Sequence, residues 1–228
     1  MKLVWSPETA LQAYLDTVQS CEKVKESGVA ELLSSMAAGW NAKFIVECWS
    51  HGGPIAASLG LAVAARNTGA RHVCIVKDEL SRLHYMKALA EMGVSPPQEV
   101  VVGEAATVVG SQSLAGLDFL VVDCTGSNFA KVLRVAKVGP RGAVLACKNA
   151  CQRNGYRLFR WSWVLERGTR VVRSVFLPVG KGLDIAYIGS TGSSGAAAAT
   201  AATASKAPSR WIKHIDQQSG EEHLFREG

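Results

Sequence analysis

A chain of 228 residues can build one sizeable hydrophobic core and is short for two. With 48% hydrophobic and 19% charged residues it is no wholesale disordered protein, and no apolar run nears the ~20 residues that cross a bilayer. Its net charge of +6 is concentrated between Lys148 and Lys181, where six arginines and two lysines face one acid, Glu166.

The opening MKLVWSPETALQ meets Pro7 and Glu8 before an apolar segment forms, so no secretory leader is read there. The six cysteines are irregularly spaced and mostly lie in apolar stretches, which suits buried, reduced thiols in a cytoplasmic protein. Cys147 and Cys151 lack the second pair or nearby histidine of a zinc set, and no metal site is expected.

Ser6-Pro7-Glu8 opens a helix, with Ser as N-cap and Pro at the first helical position. Ala10, Tyr14, Leu15 and Val18 then share one face, expected to be the buried one. A second helix runs from about Gly28 to Ala38 and stops at Gly39. Phe44-Ile45-Val46 is a short apolar burst ending in Glu47. The small-residue helix IAASLGLAVAARN follows and closes at Gly69. Residues 73–76 read as a strand and Ser81 to Met92 as a helix closed by Gly93. Strands at 100–102 and 119–122 come next, the second ending at Asp123 with a helix from about Asn128 to Val138 behind it. Residues 143–147 form the fifth strand.

Strands apolar at successive positions are buried on both faces, and alternation with helices makes the sheet parallel. The segments 170–178 and 183–188 break the alternation and should form an antiparallel edge. The strand from Phe44 should neighbour the strand from Phe119, which creates a switch point in strand order. Residues 1–189 thus form an α/β domain. Residues 190–209, rich in Ala, Ser, Gly and Thr, are expected to be a disordered linker. Residues 210–228 form a tail whose two alternating segments flank a Ser-Gly turn signal, as in a small hairpin.

In an open parallel sheet the ligand lies at the carboxyl ends of the strands. The residues there are Glu47 through Gly53, Lys77-Asp78-Glu79, Gly103-Glu104-Ala105, Asp123 through Gly126, and Lys148-Asn149. His51 and His72 read as lone histidines, more in keeping with satisfied loop or core residues than with catalysts. The basic segment, with Tyr156, Phe159, Trp161 and Trp163 interleaved, could hold an anionic ligand. The reading preferred is a solvated face with arginines lying over the aromatics, and nucleic acid is not expected as a partner.

LDFLVVDCTGSNF resembles the fourth-strand motif of the cation-dependent, caffeoyl-coenzyme-A type O-methyltransferases. VFLPVGKGLDIAYIG resembles their terminal hairpin, and IVECWSHGG falls where their first cofactor loop lies. The whole chain is similar to a plant family of uncharacterised proteins distantly related to class I S-adenosylmethionine methyltransferases. The resemblance covers about residues 1–190 and the WIKHID segment. It implies a Rossmann-like class I methyltransferase fold, mostly parallel with a C-terminal antiparallel hairpin, and S-adenosyl-L-methionine as cofactor.

Position by position, the resemblance assigns Glu47 to the acid ending the first strand and Gly52 and Gly53 to part of its turn. A glycine at the cofactor's methionine end is replaced by Trp49, which should crowd that end. The ribose-binding acid would fall at Val76 or Lys77, so Asp78 or Glu79 must serve one residue late. Glu104 and Ala105 match the adenine side. The family's cation is held by residues matching Asp123, Lys148 and Asn149, and an ammonium in place of a carboxylate should exclude a hard dication. Two functions follow. One is a methyltransferase that is not cation-dependent and uses Asp123 with His51 or a substrate-paired Lys148. The other is an inactive methyltransferase scaffold that binds a small-molecule ligand or an unspecified protein partner.

Overall fold

The computed structural model describes residues 5–22, 24, 28–94, 97, 99–153 and 159–190, and the backbone of two strands at 211–215 and 222–226. The chain divides into two compact units, Met1–Gly192 and Ser193–Gly228. In the first, the helices α1 (Pro7–Ser20) and α2 (Val29–Gly39) precede β1 (Phe44–Trp49). Then follow α3 (Ala56–Thr68), β2 (Arg71–Val76), α4 (Glu79–Glu91), β3 (Glu99–Val102), α5 (Ala105–Val109), β4 (Phe119–Asp123) and α6 (Phe129–Val135). The unit ends with β5 (Ala143–Lys148), α7 (Trp161–Val164), β6 (Val171–Leu177) and β7 (Leu183–Ile188).

These strands form one seven-stranded sheet in the order β3-β2-β1-β4-β5-β7-β6. β1 pairs in parallel with both β2 and β4, so the strand order reverses between them as the sequence implied. β7 lies antiparallel to β5 and to β6. In the second unit β8 (Trp211–Ile215) pairs antiparallel with β9 (Glu222–Arg226). Most of the linker expected at 190–209 lies outside the described residues.

The central strands are buried on both faces, which explains their unbroken apolar runs. One face carries Ile45, Phe119, Val121 and Ile185 against α2 and α3. The other carries Val46, Leu120, Val122 and Leu145 against α5 and α6.

Helix α1 departs from the expectation. It buries Ala10, Ala13 and Thr17, whereas Tyr14, Leu15 and Val18 stay 45%, 47% and 40% exposed. Small residues win because α1 packs closely on α2: Thr17 Oγ1 is hydrogen-bonded to Ser34 Oγ at 2.8 Å and to the Ala13 carbonyl at 2.7 Å. The α2–α3 contact is as tight, since a Cβ on Gly60 would stand 2.3 Å from the Ala30 carbonyl oxygen. Gly39 is inside α2, covered by the Trp5 ring, and the chain turns at Asn41, whose φ is 52°. Helix α4 begins at Glu79, with Asp78 as its N-cap, rather than at Ser81. Helix α6 stops at Val135, because Val138 bridges to Leu117 beside the sheet.

Candidate functional site

Side chains alternate along a strand, so Ile45, Glu47 and Trp49 share the α3–α4 face of β1. This places Glu47 inside the protein, 2% exposed, rather than at the open edge. Oε2 accepts from Ser58 of α3 at 2.7 Å, and Oε1 accepts from the Tyr85 hydroxyl of α4 at 2.6 Å. His72 Nε2 of β2 lies 3.1 Å from Oε1. Burial alone would raise this carboxyl, but the bonds from His72, Tyr85 and Ser58 outweigh it and hold its pKa below the ordinary value. Burial beside this carboxylate pushes the Tyr85 hydroxyl well above its usual range. Glu47 is thus committed to the core, and His72 is its partner rather than a lone histidine.

Trp49 turns its indole into the same core, edge-on to Tyr85 with ring centroids 5.3 Å apart. The turn after it is made by Gly53, whose N–H donates to Ser50 O at 2.8 Å. Gly52, at φ 73°, has open space where a side chain would stand. His51 is exposed and paired with His84 of α4, nitrogen to nitrogen at 3.2 Å. No contact among the described residues joins His51 to Asp123 or Lys148. Burial and the Glu47 carboxylate push the Cys48 thiol up to about 12, which leaves it inert as a nucleophile.

The acids after β2 and β3 are exposed and cap helices. Asp78 Oδ1 accepts from Ser81 N–H at 2.8 Å and Ser81 Oγ at 2.6 Å, bonds that lower its pKa. Glu104 Oε2 accepts from Thr107 N–H at 2.7 Å and Oγ1 at 2.8 Å, ahead of a half-buried Ala105, and its pKa is lowered likewise. Asp78 uses one oxygen as a cap, while Glu104 takes a further backbone hydrogen bond from Ala106 beside those from Thr107.

Asp123 and Lys148 are register partners on β4 and β5, and their side chains emerge on one face at the carboxyl edge. Lys148 Nζ stands 3.8 Å from Asp123 Oδ2. Asn149 Nδ2 donates to the same oxygen at 2.9 Å, and Oδ1 accepts from Thr125 N–H and Oγ1 at 2.9 and 2.7 Å. Burial works against this carboxylate, yet the bonds from Thr125 and Asn149 with the Lys148 charge keep its pKa below the ordinary value. Asn149 takes left-handed backbone angles, φ 58° and ψ 32°, uncommon outside glycine. Thr125 was missed as a partner, although an Asp-x-Thr step is a readable local turn signal.

The basic segment is partly consumed in packing. Arg153 is buried, its guanidinium 3.7 Å from the Phe159 ring centre and bonded to Asp184 of β7 at 2.7 Å. Trp161 Nε1 donates to the other Asp184 oxygen at 2.8 Å. Arg160 lies over Trp163. All six cysteines are free thiols. No helix of the described residues is long and apolar enough to cross a membrane.

A methyltransferase from Geobacter sulfurreducens is similar in structure, with a TM-score of 0.54 at 23% identity over 78% of this chain and 88% of that one. The O-methyltransferase TomG from Streptomyces achromogenes, solved with S-adenosylmethionine, superposes with a TM-score of 0.51 at 19% identity, covering 78% of this chain and 90% of its own. An O-methyltransferase from Bacillus cereus, solved with S-adenosylhomocysteine, gives a TM-score of 0.52 at 16% identity over 82% and 93% of the two chains. At these identities the likeness establishes the fold. No curated protein sequence matches the chain. The model of the family described as protein of unknown function DUF1442 matches residues 1–227. The chain therefore belongs to the DUF1442 family, on a Rossmann-like methyltransferase fold.

Proposed function

We propose that this chain binds an S-adenosylmethionine-type small molecule across the carboxyl edge of its sheet, as a methyltransferase-like protein that works without a divalent cation. The observation that carries the reading is the Lys148 ammonium beside Asp123 and Asn149, where the resembling enzymes hold their metal. A donor set of one carboxylate, one amide and one ammonium does not fit a hard dication, which needs several oxygen ligands.

The adenosyl end is better served. Asp78 and Glu104 stand exposed at the ends of neighbouring strands, Asp78 with Oδ2 left for a ribose hydroxyl, and Gly52 leaves the loop open. When bound, such a cofactor supplies a methyl group on a sulfonium. The residues' own part is to anchor sugar hydroxyls at Asp78 and to keep Asp123 ionised at the edge. The solved neighbours that hold S-adenosylmethionine or S-adenosylhomocysteine support this assignment. A reducing, cytoplasmic setting accords with six free thiols, and Arg153's commitment to Asp184 argues against a nucleic-acid face.

A second reading, a scaffold that binds ligand without turnover, is favoured by Glu47 and Trp49. Both are turned into the core instead of serving the edge. Calorimetric titration with S-adenosylmethionine and S-adenosylhomocysteine, with chelator and then with magnesium, tests the proposal. Saturable binding indifferent to magnesium is the expected result; absence of binding, or binding only with magnesium, would sink it. Binding without consumption of the sulfonium across a panel of acceptors would select the scaffold.

A further inference from the structure

Lys148 is 5% exposed, and a buried ammonium needs acceptors for its three N–H groups. Its ion partner Asp123 stands at 3.8 Å, beyond hydrogen-bond reach. No described residue accepts a hydrogen bond from Nζ. Nor is Asp123 aimed at it for want of other partners, because Thr125 and Asn149 already take three of the carboxylate's lone pairs. Asn149 makes its bond from a left-handed backbone conformation, φ 58°. Among the described residues the cluster gives the acid three hydrogen bonds and the base an ion partner but no hydrogen-bond acceptor, at the edge where a ligand would lie.

We propose that Lys148 is the recognition point for the carboxylate of a small acidic ligand, which supplies hydrogen-bond acceptors that no described residue gives it. The ligand is a monoanion, because the Lys148–Asp123 pair is already neutral overall and a second negative charge would double the repulsion from Asp123 across a few ångströms. The inference rests on the carboxyl edge being a ligand site, but not on turnover or on a bound cofactor.

Benzoate is the probe. Titrated into the full chain, it should shift the amide resonances of Asp123, Thr125 and Asn149 saturably. Benzamide, of the same shape without the charge, should bind at least about tenfold more weakly, the loss expected for a charge-assisted hydrogen bond. Lys148→Met should lose benzoate by a similar factor and Lys148→Arg should retain it, while Lys181→Met on the exposed β6–β7 turn should change nothing. Benzamide and the resonance map test the idea on the wild-type chain even if the Met variant misfolds. Equal affinity of benzoate and benzamide, equal binding to Lys148→Met, absence of saturable shifts at this edge, or equal competition by inorganic phosphate would each overturn the assignment.

S-Adenosylhomocysteine at saturation should leave the benzoate affinity unchanged. Competition would put the amino-acid carboxylate of that molecule on Lys148, which overturns this proposal and upholds the adenosyl-ligand reading. Benzoate binding in a protein that takes no S-adenosylhomocysteine would do the reverse.

Discussion

Glu47 and Asp123 stand on neighbouring strands of one sheet, both buried acids near the carboxyl edge, and the protein treats them in opposite ways. Glu47 is surrounded by Ser58, His72 and Tyr85, drawn from α3, β2 and α4, so that both oxygens are engaged inside the core. Asp123 is held by its own turn and by Asn149, and its charged neighbour stays at arm's length. The first arrangement ties three elements together and leaves nothing for a ligand. The second leaves an ammonium whose needs a ligand can meet. A carboxylate at a strand end is therefore no guide to function until its partners are counted.

The largest expected effect follows from the closed cluster. Glu47→Ala removes the acceptor of three buried groups and should destabilise the fold by about 3–5 kcal/mol, read from urea unfolding. Glu47→Gln should cost less but alter the acid limb of stability. The Glu47 carboxyl is depressed in the fold, so its contribution is complete above the unfolded value of 4.5 and is lost as pH falls through the lower folded value. The stability difference between wild type and Glu47→Gln should hence be flat near neutrality and shrink in acid. A Glu47→Ala protein of unchanged stability would erase the contrast between the two acids.

At the open cluster, Asp123→Ala should cost about 2–3 kcal/mol, because it leaves Lys148 buried with no counter-charge and frees Thr125 and Asn149 donors. The same denaturant assay ranks it against Glu47→Ala. A larger loss at Asp123 than at Glu47 would mean that the edge, not the core cluster, holds the strands together.

Much of this was legible beforehand. Unbroken apolar runs such as 119–122 and 143–147, separated by helical patterns, gave away a parallel sheet, and the hairpin after Pro178 gave its antiparallel end. The buried face of α1 was not legible, because close packing there selects Ala10, Ala13 and Thr17 while hydrophobicity pointed to the larger side chains. Asp123 and Lys148 could be placed together because adjacent strands end together. Glu47's commitment could not, since its three partners lie 11, 25 and 38 residues away with no shared periodicity. Asp78 and Glu104 carried a missed signal: each is followed three residues later by Ser81 or Thr107, and those are the groups they cap.

Rebuilding the cation site sharpens the comparison with a smaller effect. Lys148→Asp would join a new carboxylate to Asp123 and Asn149, restoring an all-oxygen set. Magnesium or manganese should then stabilise that variant by about 1–3 kcal/mol, as mass action gives at saturating ligand. The wild-type melting temperature should not respond. A wild-type response to magnesium would show that Lys148 yields its place to a cation.

The smallest effect should come from Lys148→Met. The ammonium gains a modest Coulombic term from Asp123 at 3.8 Å and makes no direct hydrogen bond to the described residues. Against this stands its desolvation, which in buried pairs often matches or exceeds the attraction. Methionine keeps most of the stem's apolar contacts, and Asp123 retains its bonds to Thr125 and Asn149. These terms nearly cancel, so stability should change by no more than about 1 kcal/mol in either direction. The outcome separates two meanings of the same residue. If removing the charge costs as much as removing Asp123, Lys148 is a structural counter-ion and the edge is closed like the Glu47 cluster. If stability is nearly unchanged while benzoate binding is lost, the charge is held at the edge for a ligand.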